Sequence, residues 1–393
     1  MKSLRLLLLG LGLVLFASAC VAPPPNSWPG LAANDELAFV AYNNQVIAVN
    51  LSDGKQRWAF PPSPGGELFF AEPGVSDEII VVGSEGTLGQ FHGALFGLDP
   101  KNGAQKWCLA LDSRARDRLN TATAPCPLIP GGDEATFFGL IMPPVDNRVI
   151  GGVVVRDGVA YVGLANNQVI AVDALTGELQ WARDLTEHPI WTAPLVDENS
   201  IYVASLDHKL YALARSDGAK KWEADLGASL GGTPALQDGV LYVGTFGDKV
   251  VALRAQDGRE LWRAEATNWV WGGPAVRDGV VYFADLNGTV FAVNAQNGRE
   301  LWRQTPGGKI RSTPALFNDL LFIGDRDSNL FALNAADGAL QWTQSIAGGG
   351  HIYTTPLVVA ERDLVIAAVY QGSNLLVAYT PGGAFKWAFA PTQ

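Results

Sequence analysis

Apolar and polar positions alternate in short bursts along residues 231–262, GGTPALQDGVLYVGTFGDKVVALRAQDGRELW, with glycine and aspartate between the bursts. The pattern predicts strands at 234–236, 240–244 and 250–253, and a fourth that carries Trp262. Turns fall at Asp238-Gly239, Gly247-Asp248 and Asp257-Gly258. Runs of β-branched and aromatic residues bounded in this way are the sequence form of tight antiparallel hairpins. One sheet of about four strands cannot bury both of its faces alone. It needs neighbours like itself.

The chain supplies them. A Gly-x-x-x-Trp ending occurs at Gly54/Trp58, Gly103/Trp107, Gly177/Trp181, Gly218/Trp222, Gly258/Trp262, Gly298/Trp302, Gly338/Trp342 and Gly383/Trp387. Ten residues before the tryptophan stands a small residue in seven copies: Ala48, Gly97, Ala171, Ala212, Ala252, Ala292 and Ala332. Proline opens the first strand at Pro29, Pro73, Pro194, Pro234, Pro274, Pro314 and Pro356, and Val153 replaces it in the third copy. The glycine serves a turn that needs positive φ. The small residue leaves room for an indole, and the indole is expected to supply a large buried area in every copy.

The fullest copy, AVDALTGELQW at 171–181, resembles the tryptophan-docking motif of PQQ-type (pyrroloquinoline-quinone-type) β-propellers, although the motif's aspartate survives only at Asp99 and Asp173. The resemblance covers nearly all of the chain after residue 26. It implies an all-β fold: an eight-bladed β-propeller of four-stranded antiparallel blades over 28–393, each tryptophan stapling one blade to the next. A proline and a closing tryptophan bracket each copy, so each blade is expected to be contiguous in sequence. Ring closure then rests on side-chain packing between blades 1 and 8. A one-strand offset, with 37–42 opening the fold, stays open.

Composition agrees: 48% hydrophobic, with 44 Gly and 12 Trp in 393 residues. The net charge of −11 argues against a basic nucleic-acid footprint, so no nucleic-acid partner is expected. Residues 1–19 have a basic start and an apolar run at 6–16, the form of a signal peptide and too short to span a bilayer. The run ends Ala17-Ser18-Ala19-Cys20, which resembles a bacterial lipobox and also suits ordinary signal peptidase. The lipobox implies a lipidated Cys20, a Pro-rich tether over 20–27 and an anchored, extracytoplasmic monomer at a bacterial membrane. Cys108 and Cys126 then meet an oxidising compartment, as a disulfide or as two buried thiols.

Departures from the 40-residue period collect on one side. In a four-stranded blade the links between blades and the second turn of each blade share a face. An insertion at about 112–148, holding Arg114, Arg116, Arg118 and an apolar run at 137–142, lies there as a lid or a plug. The four tryptophans outside the docking set, Trp28, Trp191, Trp269 and Trp271, all precede a first strand. Taking the residue three before each opening gives a ring: Asn26, Phe70, Ile150, Trp191, Gly231, Trp271, Arg311 and Tyr353. Nearby turns add Tyr42, Phe246, Asp285, Asp325, Arg326 and Tyr370. Such a rim either grips a small ligand or protein partner or fills the channel mouth.

Enzymes of the PQQ-type family imply a quinone above a tryptophan, an adjacent Cys-Cys pair, Ca²⁺ held by Glu and Asn, and an Asp base. No two cysteines are adjacent here. The chain has no C-x-x-C-H, no G-x-S-x-G and no H-E-x-x-H, and its four histidines are scattered. A binding or scaffold module without a cofactor is therefore expected, with PQQ and Ca²⁺ as the rival. The membrane-tethered eight-blade plan is similar to BamB-type lipoproteins of outer-membrane β-barrel assembly, which implies a scaffold for a protein partner.

Overall fold

The computed structural model describes residues 28–88, 90–120, 125–130 and 146–391. The leader, Cys20, the tether, Asn26 and the run at 137–142 lie outside the described residues. Thirty-two strands form eight four-stranded antiparallel sheets, at 30–60, 74–110, 153–184, 195–225, 235–265, 275–304, 315–345 and 357–389. In every sheet the strands lie in sequence order. Blade 5 is typical, with strands Ala235–Gln237, Val240–Thr245, Lys249–Arg254 and Glu260–Glu265. Its boundaries fall within three residues of the hydrophobic bursts, because buried Val, Leu and Tyr alternate across a sheet covered on both faces.

The first strand, Gly30–Ala33, pairs with Leu37–Tyr42, which settles the offset: blade 1 opens at Pro29. Among the described residues no strand is exchanged between blades. Closure instead uses one apolar cluster shared by blades 1 and 8, in which Leu31, Val40 and Val49 meet Ile366, Leu376 and Trp387.

The staple has two halves. Within a blade the tryptophan lies opposite the small residue, as Trp262 opposite Ala252, beside a register shift repeated in all eight sheets. A methyl on Gly97 would stand 2.1 Å from Trp107 Nε1, so blade 2 takes glycine there. Between blades the indole covers the motif glycine of the next blade. Gly258, at φ +72°, would place a Cβ 2.6 Å from the Trp222 ring. Seven indoles donate Nε1–H to a carbonyl of the following blade at 2.8–3.0 Å, from Trp58 to Pro100 through Trp387 to Leu51. The eighth copy hides its small residue one position out of step: Ala378 lies opposite Trp387.

Burial of the eight indoles is uneven, though each packs on the next blade. Trp58, Trp107, Trp181, Trp262 and Trp387 are buried, at 6–9% exposure. Trp222, Trp302 and Trp342 are only half-buried. The fourth strand is the one farthest from the channel, so its side chains meet solvent at the rim of the disc. In these three blades the fourth strands, Lys220–Asp225, Glu300–Gln304 and Leu340–Ser345, hold no fully buried residue at all. The docking contacts survive this exposure. Trp302 covers Gly338 and donates to the Ala335 carbonyl at 3.0 Å, and Trp342 covers Gly383 and donates to the Pro381 carbonyl at 2.8 Å.

One element departs from the all-β expectation. Helix α1, Ser113–Leu119, opens the insertion, with Asp112 accepting from Ala115 N as its cap. Cys108 and Cys126 are joined as a disulfide across 18 residues, tying the insertion to blade 2. Among the described residues no helix is long and apolar enough to cross a membrane.

Candidate functional site: the channel mouth

Each link between blades carries a fully buried anchor just before the ring position: Phe69, Val149, Ile190, Leu230, Val270, Ile310 and Ile352, all at 0% exposure. Extended backbone turns successive side chains to opposite sides, so the residue after each anchor faces the channel. All seven described ring positions line one cavity of about 800 Å³ at the face shared by links and second turns. Residues immediately before the first strand form a deeper ring, mostly small or threonine, with Trp28 and Glu72 as the exceptions.

The mouth is joined by aromatic contacts. Phe70 meets Tyr42 at 6.0 Å, Tyr42 meets Tyr370 at 6.2 Å, and Tyr370 meets Tyr353 at 6.0 Å. Trp28 then reaches Tyr353 at 5.6 Å and Trp271 at 6.0 Å. Phe246 lies on Trp271 at 4.8 Å and on Trp269 at 5.0 Å. At the heart of this belt Arg311 sits 4.4 Å from the Trp271 ring centre, 4.9 Å from Tyr353 and 5.8 Å from Trp28. Desolvation draws its pKa below the usual arginine value, and nearby Arg326 adds to that pull.

The other predicted face residues divide by role. Trp191 lines the cavity, half-buried. Phe70 is only 3% exposed and forms wall beneath Tyr42. Phe246 fills the place that Gly231 leaves empty: a Cβ on Gly231 would come within 2.4 Å of its ring. Trp269 is an outer rim residue, 44% exposed. Asp285 and Asp325, expected on this face, are fully buried and absorbed by turns. Asp285 accepts from Thr267, Asn287 and Thr289, and Asp325 from Gly308, Asp327 and Asn329. They hold links to turns, and neither lines the cavity.

Glu72 is the residue that the repeat pattern missed. It is exposed and lines the cavity deep in the disc. Crowding by protein pushes its carboxyl up to about 7, while solvent entering the cavity opposes that rise. Its signal was available: a lone acid immediately before Pro73, where six of the other blades place small residues or threonine and blade 1 places Trp28.

The basic cluster of the insertion serves packing. Arg118 bonds Glu67 Oε1 at 2.6 Å and the carbonyl of His92 at 2.7 Å, and Arg116 pairs with Asp117. Beneath them His92 Nδ1 lies 2.7 Å from Asp112 Oδ2, which also accepts from Asn147. Of the described insertion residues, Arg148 alone lines the cavity.

These residues do not fit the quinone and calcium of the family's enzymes. The disulfide joins residues far apart in sequence and neither cysteine lines the cavity. The carboxylates Asp285 and Asp325 are spent on turns, and among the described residues no group of three His, Cys, Asp or Glu is placed to hold a metal.

Contiguous tryptophan-docked blades around a side-chain-lined mouth define the class: a PQQ-type eight-bladed propeller. More narrowly, the chain belongs to the family described as outer membrane protein assembly factor BamB, whose profile matches residues 29–138, 132–268 and 208–390. An outer membrane protein assembly factor BamB from Yersinia pestis is 26% identical over 221 residues, 50% of this chain and 53% of that protein. One from Nitrosomonas eutropha is 31% identical over 110 residues, 25% of this chain and 27% of that protein. The matched stretches thus span about half and a quarter of those relatives. BamB from Moraxella catarrhalis superposes with a TM-score of 0.65 at 18% identity, covering 88% of this chain and 92% of that one. The computationally designed Ika8 protein gives 0.69 at 13% identity, covering 90% and 96%. At such identities the two structures speak for the fold alone.

Proposed function

We propose that this chain is a non-catalytic scaffold in outer-membrane protein assembly, docking a protein partner on the face around the channel mouth. The observation that carries the reading is the extent of the family match, which runs through all eight blades from 29 to 390. The relatives' description as assembly factors supports it, and so does a mouth whose side chains suit contact better than chemistry. Lipidation of Cys20 would hold the monomeric disc at the periplasmic side of the outer membrane, with the tether setting its reach.

The test is photocrosslinking in native membranes from positions 88 and 371, exposed residues at the same mouth, with identification of the captured protein. A β-barrel assembly component should be recovered with the wild type. It should be lost from a folded variant carrying Trp191→Ala, Trp271→Ala and Arg311→Ala together. Recovery of no such component, or equal recovery from both proteins, would remove the reading.

A further inference from the structure

We propose that the channel mouth is a carboxylate-binding site built on Arg311, taking an acidic group carried by an extended peptide. The site stands on the chemistry of the cavity. Only the choice of a peptide as carrier rests on the scaffold reading above.

The first observation is an arginine without a counterion in an acidic protein. The chain holds 39 Asp and Glu against 28 Lys and Arg. Arg118, Arg148, Arg215, Arg254, Arg263 and Arg303 all pair with carboxylates, and among the described residues the arginines outside ion pairs, such as Arg259, Arg299 and Arg326, are exposed where Arg311 is half-buried. Among the described residues Arg311 makes no ion pair and no hydrogen bond; its contacts are three ring faces. A half-buried charge left unpaired carries a desolvation cost that an incoming anion offsets.

Second, the backbone fixes this arginine in place. Ile310 before it is fully buried. Ser312 after it is 2% exposed and exchanges hydrogen bonds with the Gly324 backbone, its hydroxyl donating to the carbonyl and accepting from the N–H. The side chain is therefore held at the cavity wall before any ligand arrives, which lowers the cost of binding.

Third, the ring faces that touch Arg311 are already taken. Trp271 has Arg311 and Phe246 against it, and Tyr353 has Arg311 and His351, the latter stacked at 5.3 Å. Beside Arg311, little ring face remains for a sugar or a planar ligand to stack upon; Trp191 stands apart on the cavity wall. What stays open is the in-plane edge of the guanidinium, whose N–H donors have no acceptor among the described residues. That edge matches the two coplanar oxygens of a carboxylate. Arg326, exposed and close enough to depress Arg311, adds a positive charge beside it, whereas Arg148 at the same cavity is paired with Asp146 and Glu85. Leu88 and Phe91, 71% and 47% exposed at the same cavity, offer apolar support to residues flanking the acid. The cavity lies within the roughly 300–1,000 Å³ usual for ligand sites.

The test uses the purified protein, titrated by calorimetry and tryptophan fluorescence. The probes are the capped peptide acetyl-Gly-Ala-Asp-Ala-Gly-amide, its Asn counterpart with a capped and with a free C-terminus, and inorganic phosphate. The Asp peptide should bind saturably, and the fully capped Asn peptide at least tenfold more weakly. The free-terminus arm distinguishes a chain-end carboxylate from a side-chain one, and Arg311-dependent binding of either supports the site. Arg311→Gln should weaken binding at least tenfold with an unchanged near-UV spectrum, and Arg326→Gln by less. The proposal is overturned by equal binding of all peptides, by unchanged binding to Arg311→Gln, by no saturation at about 10 mM, a Kd worth less than about 4 kcal/mol, or by phosphate binding more tightly than any peptide. Because these probes need no cellular partner, loss of crosslinking with peptide binding intact removes the assembly role alone. The converse result removes the site alone.

Discussion

A docking tryptophan buries up to about 200 Å² of ring, packs on the next blade's glycine and satisfies a carbonyl there. Trp181 meets only the first two demands. Its indole covers Gly218, yet its Nε1 has no partner. Elsewhere the accepting carbonyl belongs to Leu51, Pro100, Ala174, Ala255, Ala295, Ala335 or Pro381, and the matching position here is Arg215. That guanidinium crosses to blade 3 instead, bonding the Tyr161 hydroxyl at 2.9 Å and Asp157 at 2.7 Å. Trp262→Phe should therefore cost about 1 kcal/mol more than Trp181→Phe, since only the former forfeits a buried hydrogen bond. Urea midpoints of the two variants check this, and equal losses would refute it. The eight tryptophans were legible because glycine and indole recur in step. Their unequal burial was not, because the Gly-x-x-x-Trp of Trp302 and Trp342 reads the same as that of Trp58. The missing indole bond at Trp181 also escaped, because an accepting carbonyl is backbone and leaves no letter in the sequence.

At the scale of elements, the insertion illustrates the same limit. Its extent was readable as a break in the 40-residue period. Helix α1 was not, since seven residues are too few for a helical period to stand out. Nor could spacing decide between a disulfide and two thiols; that depended on the strand Gln105–Ala110 running beside the residues around 128, as its bridge at Ala110 and Leu128 shows. What holds the insertion is a buried polar set, Asp112 with His92 and Asn147, plus Glu67 with Ser84 and Arg118. The disulfide closes a loop of 18 residues over it. Loop-closure entropy of that size is roughly 3 kcal/mol. The double variant Cys108→Ser, Cys126→Ser should lose about that much stability, and reductant should lower the denaturation midpoint of the wild type but not of the variant. A wild type indifferent to reductant would place the anchor in the polar set alone.

For the whole molecule, the number of blades and their contiguity were legible, because a repeat states its own count. The mouth was only half legible. The ring rule found Trp271, Arg311 and Tyr353, but nothing in sequence brings Trp28 to them across the disc, or sends Asp285 and Asp325 inward. Closure follows the same logic and exposes a vulnerable joint. Seven joints have neighbours tied by a covalent link, which keeps a loosened pair at high effective concentration. Blades 1 and 8 are held by packing, by Trp387 Nε1 on the Leu51 carbonyl at 2.8 Å, and by Arg362 on the Asp35 carbonyl at 3.0 Å. Trp387→Ala and Trp262→Ala remove indoles of similar burial, 6% and 9% exposed. Their equilibrium costs should be similar, about 3–5 kcal/mol each. Their kinetics should differ, because only the first opens an untethered joint and bares two apolar sheet faces. Trp387→Ala should unfold faster by at least about tenfold, near 1.4 kcal/mol of barrier, and should form dimers that Trp262→Ala does not. Stopped-flow unfolding and light scattering read both; equal rates with two monomeric variants would show that the closing joint is as secure as the tethered ones.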